Sequence, residues 1–418
     1  MRALVVSVVL LAACDKTPPP TPTPTPDKPD KPDMTTPTAT GPVDPTLAQS
    51  TDAFALALWA KASTKPGNLA VSPTSIAIAL AMTAGGAKGD TLAELRRALQ
   101  LAGAPEDYGK LAAALQGNAN ALALRIANRL FGEKSFAFEQ AFLAKTKATY
   151  GAPLEPLDFK GAAEAARGTI NHWVEDQTEK RIKDLLPAGA LTDTTRMVLV
   201  NAIYFLADWQ SQFEKQSTSP RPFSLTATTK KSVDTMHQVG QFRIAKIAGG
   251  KLLELPYKGG SAAMWIALPD ATDGLAAFER TLDAKQFASW PAAFQSRQVL
   301  VALPRFTIDP AEPLALRPQL EALGITKAFS DRDADFTGIG TPSDANQRLY
   351  ISAVFHKAFV KVDENGTEAA AATAVVMAEG TGAPAKREEV IVDHPFLFFI
   401  VDKPSGLILF MGRVVDPA

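Results

Sequence analysis

Apolar residues change their spacing along this chain, and the changes predict its elements. In "PTLAQSTDAFALALWAKAS" (45–63) they recur three and four apart, as on one face of a helix. In "NLAVSPTSIAIALAM" (68–82) Ser72 takes an N-cap position with Pro73 first in the helix, which suits the free N–H groups of a first turn. That helix runs to Met82, and after a glycine stop another is capped near Asp90. "AARGTINHWVEDQTEKRIKDLL" (165–186) reads as helix throughout. Strands are predicted at "LRIANRLFG" (124–132) and at the long apolar run "TRMVLVNAIYFLADW" (195–209), which suits the middle of a large sheet. "LLELPYKGGSAAMWIALP" (252–269) is a hairpin around Lys258-Gly259-Gly260. "QVLVALPRFTID" (298–309) and "LYISAVFHKAFVKVDE" (349–364) are strands, and "EVIVDHPFLFFIVDKPSGLILFMGRVV" (389–415) is three strands with a turn at Lys403–Gly406. Helices come early and strands late, so the class is α+β with long mixed or antiparallel sheets.

One stretch follows neither period. "DENGTEAAAATAVVMAEGTGAPAKREE" (363–389) is alanine-rich without an apolar stripe to dock a helix. Alanine is also depleted in strands. Taken locally, it is an exposed linker.

Composition narrows the function. Hydrophobic residues make up 46% of the 418 and charged ones 21%, which marks a soluble globular chain, and a formal net charge of −1 argues against a nucleic-acid partner. The single cysteine excludes an internal disulfide framework, and His172, His237, His356 and His394 have no metal-ligand spacing. No G-x-S-x-G elbow, P-loop, H-E-x-x-H or dinucleotide fingerprint occurs, so neither an enzyme nor a cofactor is expected.

The N-terminus reads as a targeting segment. Arg2 precedes an apolar run from Ala3 to Ala13 that is short for a membrane span. Leu11-Ala12-Ala13-Cys14 resembles a bacterial lipobox, which implies a signal peptide over 1–13 and a lipidated Cys14; the alternative is an ordinary secretory signal. Asp15 leans weakly toward inner-membrane retention. The Pro/Thr-rich stretch completing 14–46 is expected to stay extended at roughly 3 Å per residue, a stalk of up to ~90 Å. The folded body is then 47–418, lipid-anchored in the cell envelope on the periplasmic or extracellular face.

Across that body the chain resembles the serpins, a family of suicide protease inhibitors. The resemblance rests on Asn68, Ser72-Pro73, Ser75 with "ALAM", Gly86-Ala87-Lys88-Gly89, "INHWV" (170–174), "LVNAIYF" (199–205) with Trp209, "ELPY" (254–257) and "LPRF" (303–306). It continues through "ADFTGI" (334–339), "HKAFVKVDENGTEAAAATA" (356–374), "HPFLFFI" (394–400) and "LFMGRVVDP" (409–417). It implies a large central mixed sheet, two smaller sheets, about eight or nine helices and an exposed reactive-centre loop near 364–390. It also implies a monomer that traps a serine protease, and by extension a papain-like cysteine protease, as a covalent acyl complex. The runner-up is a non-inhibitory serpin acting as a binding or scaffold module.

Within the loop, the resemblance makes Glu364, Gly366, Thr367, Glu368, Ala369, Ala370, Ala371 and Ala372 the hinge. The residues suit a strand that must enter a sheet. One face would carry Thr367, Ala369, Ala371, Thr373, Val375 and Met377, without charge, whereas the reverse face would bury Glu368. Gly366 is assigned backbone freedom at the bend. The reactive bond is placed at Gly380-Thr381, with Met377, Ala378, Glu379, Pro384, Lys386 and Arg387 as alternatives. Ser72, Ser75, Asn201 and His356 match the family's sheet-opening cluster, and Trp209 its loop-entry tryptophan. Locally the serines are caps, and His356 and Trp209 are core residues. "TEKRI" (178–182) stands where a glycine-containing turn is common, and Arg96-Arg97 are too few for heparin binding.

Overall fold

Asp44 starts the first helix: its carboxylate accepts from the Thr46 and Leu47 amides at 2.8 and 3.1 Å. The computed structural model describes residues 42–117, 123–151, 154–342, 344, 347–367 and 387–417. The signal segment, Cys14 and the stalk up to residue 41 lie outside them. Among the described residues nine α-helices form: α1 (Pro45–Ala62), α2 (Pro73–Ala84), α3 (Gly89–Ala98), α4 (Asp107–Gly117), α5 (Gln140–Tyr150), α6 (Phe159–Gln177), α7 (Leu275–Thr281), α8 (Ala284–Ala293) and α9 (Arg317–Ala322). Ser72 caps α2 as expected, its hydroxyl accepting from the Ser75 amide at 3.3 Å. Every residue of α2 is buried, so it runs through the core.

Two helix expectations change. Asp90 lies inside the first turn of α3, which begins after Lys88 without a side-chain cap; the Asp90 carboxylate instead pairs with Lys327. Helix α6 stops at Gln177, and 178–186 form an irregular segment in place of further helix, because Glu179 and Lys180 turn left-handed at φ 51° and 62°.

The strands are β1 (Leu69–Val71), β2 (Ala123–Glu133), β3 (Phe136–Phe138), β4 (Glu155–Leu157), β5 (Met197–Asp208), β6 (Ser219–Ser224), β7 (Lys230–Ile247), β8 (Gly250–Pro256) and β9 (Ala262–Pro269). They continue with β10 (Gln295–Pro304), β11 (Phe306–Ile308), β12 (Leu314–Ala315), β13 (Gly340–Pro342), β14 (Ala353–Val362), β15 (Gly366–Thr367), β16 (Glu388–Ile391), β17 (Phe396–Asp402) and β18 (Ile408–Val414). A mixed seven-stranded sheet has the order β11, β14, β15, β5, β2, β4, with β12 on β14. The expected smaller sheets are joined along β7, which pairs with β8 at one end and β10 over much of its length, so their ladder is continuous over nine strands. A two-stranded sheet, β3 with β13, is separate. The apolar run 298–309 is two strands rather than one. It breaks at Arg305, so β10 serves the nine-stranded sheet and β11 the seven-stranded one.

The seven-stranded sheet is apolar on both faces. Leu199, Ile203 and Phe205 of β5 point into the main core with α2 and β17. Val198, Val200 and Ala202 point the other way, onto Ile170 and Val174 of α6 and onto Ile182, Leu185 and Leu186 beyond it. That two-sided burial explains why β5 reads as a continuous apolar run.

Candidate functional site

Strands β14 and β5 run parallel and paired from Ala353–Val198 to Phe359–Tyr204, then part. Into the gap steps β15. The chain turns through Asp363–Asn365, Gly366 and Thr367 pair with Asp208 and Ala207 of β5, and Thr367 pairs with Val362 of β14. Of the predicted hinge, Glu364, Gly366 and Thr367 are described, while Glu368, Ala369, Ala370, Ala371 and Ala372 lie outside the described residues. So do Met377, Ala378, Glu379, Gly380, Thr381, Pro384 and Lys386; Arg387 is exposed just before β16.

Thr367 is fully buried, its hydroxyl 2.6 Å from that of Tyr257. Tyr257 stacks on Trp209 at 4.7 Å between ring centroids and 8° between planes. Burial pushes the Tyr257 phenol far above its ordinary range, so it stays a neutral hydrogen-bonding group. Trp209 grips the start of the hinge: its indole N–H donates to the Asp363 carbonyl at 2.9 Å and its amide to Asn365 at 2.8 Å. Gly366 is needed for closeness rather than for bend freedom, since its backbone is not left-handed. A Cβ there would overlap the Ala207 carbonyl and lie 2.7 Å from the Asp208 Cα.

Glu364 anchors the hinge from outside the sheet. Its buried carboxylate accepts from Arg305 Nε at 2.7 Å, from Arg305 Nη2 and from the Thr218 hydroxyl. Burial alone would raise its pKa, but the Arg305 and Thr218 bonds outweigh burial and hold it below the ordinary carboxylate value.

Lower in the seam, Asn128 of β2, Asn201 of β5 and His356 of β14 occupy one cross-strand row. His356 Nδ1 bonds the Asn201 side-chain oxygen, directly across the junction of β5 and β14. Its Nε2 accepts from the Ser72 amide at 3.1 Å, which fixes the tautomer. Asn201 donates to Ser75 Oγ at 2.6 Å and to Asn128 Oδ1, and Asn128 donates to the Ser75 carbonyl at 3.1 Å. Burial drives the His356 pKa down to about 3, so the imidazole is neutral. The four sequence-predicted residues therefore meet, joined by Asn128.

Sequence reasoning missed Asn128, Tyr257, Thr218 and Arg305 as individuals. For Asn128 a signal existed: it is the one polar member of the inward series Leu124, Ile126, Asn128, Leu130. The others act through long-range contacts that no local pattern records. Among the described residues no group of three or more His, Cys, Asp or Glu is placed to hold a metal.

Known proteins share this architecture. A family model described as "Serpin (serine protease inhibitor)" matches residues 49–417. The leukocyte elastase inhibitor of Sus scrofa is 41% identical over 384 residues, 89% of this chain and 99% of its own length. That of Homo sapiens is 39% identical over the same shares. The structure of Serpin48 from the insect Tenebrio molitor superposes with a TM-score of 0.79 at 32% identity, over 90% of this chain and 100% of that one. A seven-stranded sheet with a loop hinge seated at one end, matched along nearly its whole length to these relatives, identifies the chain as a member of the serpin family.

Proposed function

We propose that this serpin inhibits serine proteases as a suicide substrate, driving its cut loop into the seam between β5 and β14. The observation that carries the reading is β15, the first rung of such a strand, already seated with Thr367 facing the core. Extending its antiparallel register seats Ala369 between Phe205 and Val360, Ala371 between Ile203 and Ala358, and Val375 between Leu199 and Val354. Thr373 arrives between Asn201 and His356, where entry must break their direct bond. On the other face Glu368 lands beside the exposed Lys361 at the open end, which avoids burying its charge.

The reaction needs no group from this chain beyond the loop peptide. The protease serine adds to the Gly380 carbonyl, passing its proton to the protease's own base. The Gly380–Thr381 C–N bond breaks, that proton leaves on the Thr381 amine, and an ester joins Gly380 to the protease. A papain-like cysteine would form the matching thioester. Loop entry then carries the protease along and distorts its active site before water can cleave the ester. Glycine on the acyl side suits a small or permissive pocket, as in elastase- or subtilisin-like enzymes, and relatives named leukocyte elastase inhibitors agree with that.

Lipidated Cys14 and the Pro/Thr-rich stalk would hold this monomeric inhibitor on the outer face of a membrane, after removal of residues 1–13. Cys14→Ser is expected to move the protein from the membrane to the soluble fraction. The central test mixes the purified chain with elastase-, subtilisin- and papain-type proteases. The expected result is a complex that survives SDS and heat, with release of a C-terminal peptide starting at Thr381 by mass spectrometry. Loop cleavage without any such complex would overturn trapping and favour a non-inhibitory binding or scaffold role.

A further inference from the structure

The segment after α6 is held in a conformation its residues resist. Glu179 (φ 51°), Lys180 (φ 62°) and Asp184 (φ 47°) are all left-handed and none is glycine. The Lys180 amide still closes a bond onto the Glu175 carbonyl at 2.7 Å, a helix stop that glycine ordinarily makes. The Glu179 and Lys180 side chains are exposed, so local packing does not compel the turn.

What holds it is the far end. Ile182, Leu185 and Leu186 are fully buried against Val198, Val200 and Ala202 of β5 and Phe355 of β14. Lys357 of β14 donates its ammonium to the Lys183 carbonyl at 3.3 Å. Leu186 is tied back to α6: its amide donates to Asn171 Oδ1 at 2.7 Å, and its carbonyl accepts from Asn171 Nδ2 and Arg167 Nη1, each at 2.9 Å. Residues 178–186 thus bridge the seam with one foot on each strand. A strand entering that seam spreads β5 and β14 by about 4.8 Å directly beneath them.

We infer that residues 178–186 form a sprung strap, strained while the seam is shut and relaxed when it widens, which lowers the barrier to loop entry. Its use in trapping rests on the inhibitor reading above; the strain and its release belong to the sheet. The incoming loop offers the strap little resistance, because the face passing beneath it carries Ala370, Ala372 and Ala374 in the extended register.

The test uses the full chain and a synthetic peptide of residues 369–380, added as a strand in place of the cut loop, so that no protease is needed. Lys180→Gly removes the left-handed penalty and keeps the fold. It is expected to raise the thermal midpoint of the uncut chain by about 2–4 °C and slow peptide annealing about tenfold. Lys180→Asn, better tolerated in this region than lysine, should fall between. A raised midpoint with an unchanged annealing rate would mean that the strain persists in both states, and would overturn the proposal. So would an unchanged midpoint. A wild-type chain that anneals the peptide at the Lys180-dependent rate yet forms no SDS-stable complex with any protease would confirm the strap and remove the inhibitor reading.

Discussion

A methyl group at position 366 is enough to decide where the loop begins. Gly366→Ala would drive a Cβ into the Ala207 carbonyl, and backbone cannot yield as a flexible side chain can. Thr367 should then lose its buried place and its bond to Tyr257, at roughly 1–3 kcal/mol by urea unfolding. A shift in Trp209 emission is the accompanying sign, since its ring lies on Tyr257. His356 gives a pH dependence whose sign follows from its depressed pKa. Between the ordinary value of 6.5 and about 3, the unfolded chain binds a proton that the folded chain refuses. Stability should therefore fall as pH drops through that window, by roughly 3–5 kcal/mol in all, and level off below it. His356→Gln should flatten the slope; an equal slope in the variant would place its origin elsewhere. At this scale the sequence reveals residues whose type is odd for their position, such as Asn201 in an apolar strand. It hides Arg305, whose importance lies in reaching Glu364, 59 positions away.

At the scale of the element, the seam between β5 and β14 is a slot with a fixed register, and substitutions along the loop should be read against it. Thr367→Arg would place a long cation at a fully buried position and should turn trapping into plain cleavage, visible as loss of the SDS-stable band. Thr373→Val keeps the shape but removes the hydroxyl expected between Asn201 and His356. The cleaved form should lose roughly 1–3 kcal/mol while the intact form is unchanged, a difference that paired thermal melts would resolve. Long elements were legible because burial writes itself into periodicity, as in α1, α2, β5 and β14. Periodicity could not say that 298–309 serves two sheets, since both halves are apolar and only the break at Arg305 separates them. Nor could it stop α6 at Gln177, because glutamate and lysine are good helix formers and the left-handed turn is imposed by contacts beyond it.

For the whole molecule, the intact form has only two loop residues in the sheet, and full entry would add a complete central strand. Nicking the loop should therefore raise the thermal midpoint markedly, and equal midpoints for nicked and intact chains would exclude an energetic gain from entry. The loop leaves the body at Glu364 and returns at β16, and both moorings lie on one short stretch of chain. Strand β16 lies along β10 at Val299–Ala302, and Arg305, just past the end of β10, clasps Glu364. The loop is therefore strung like a bowstring whose two knots are tied to the same stave. A tug by a bound partner on the returning end travels a few residues of backbone before it reaches the other knot, so the departure point can sense a load applied at the arrival point.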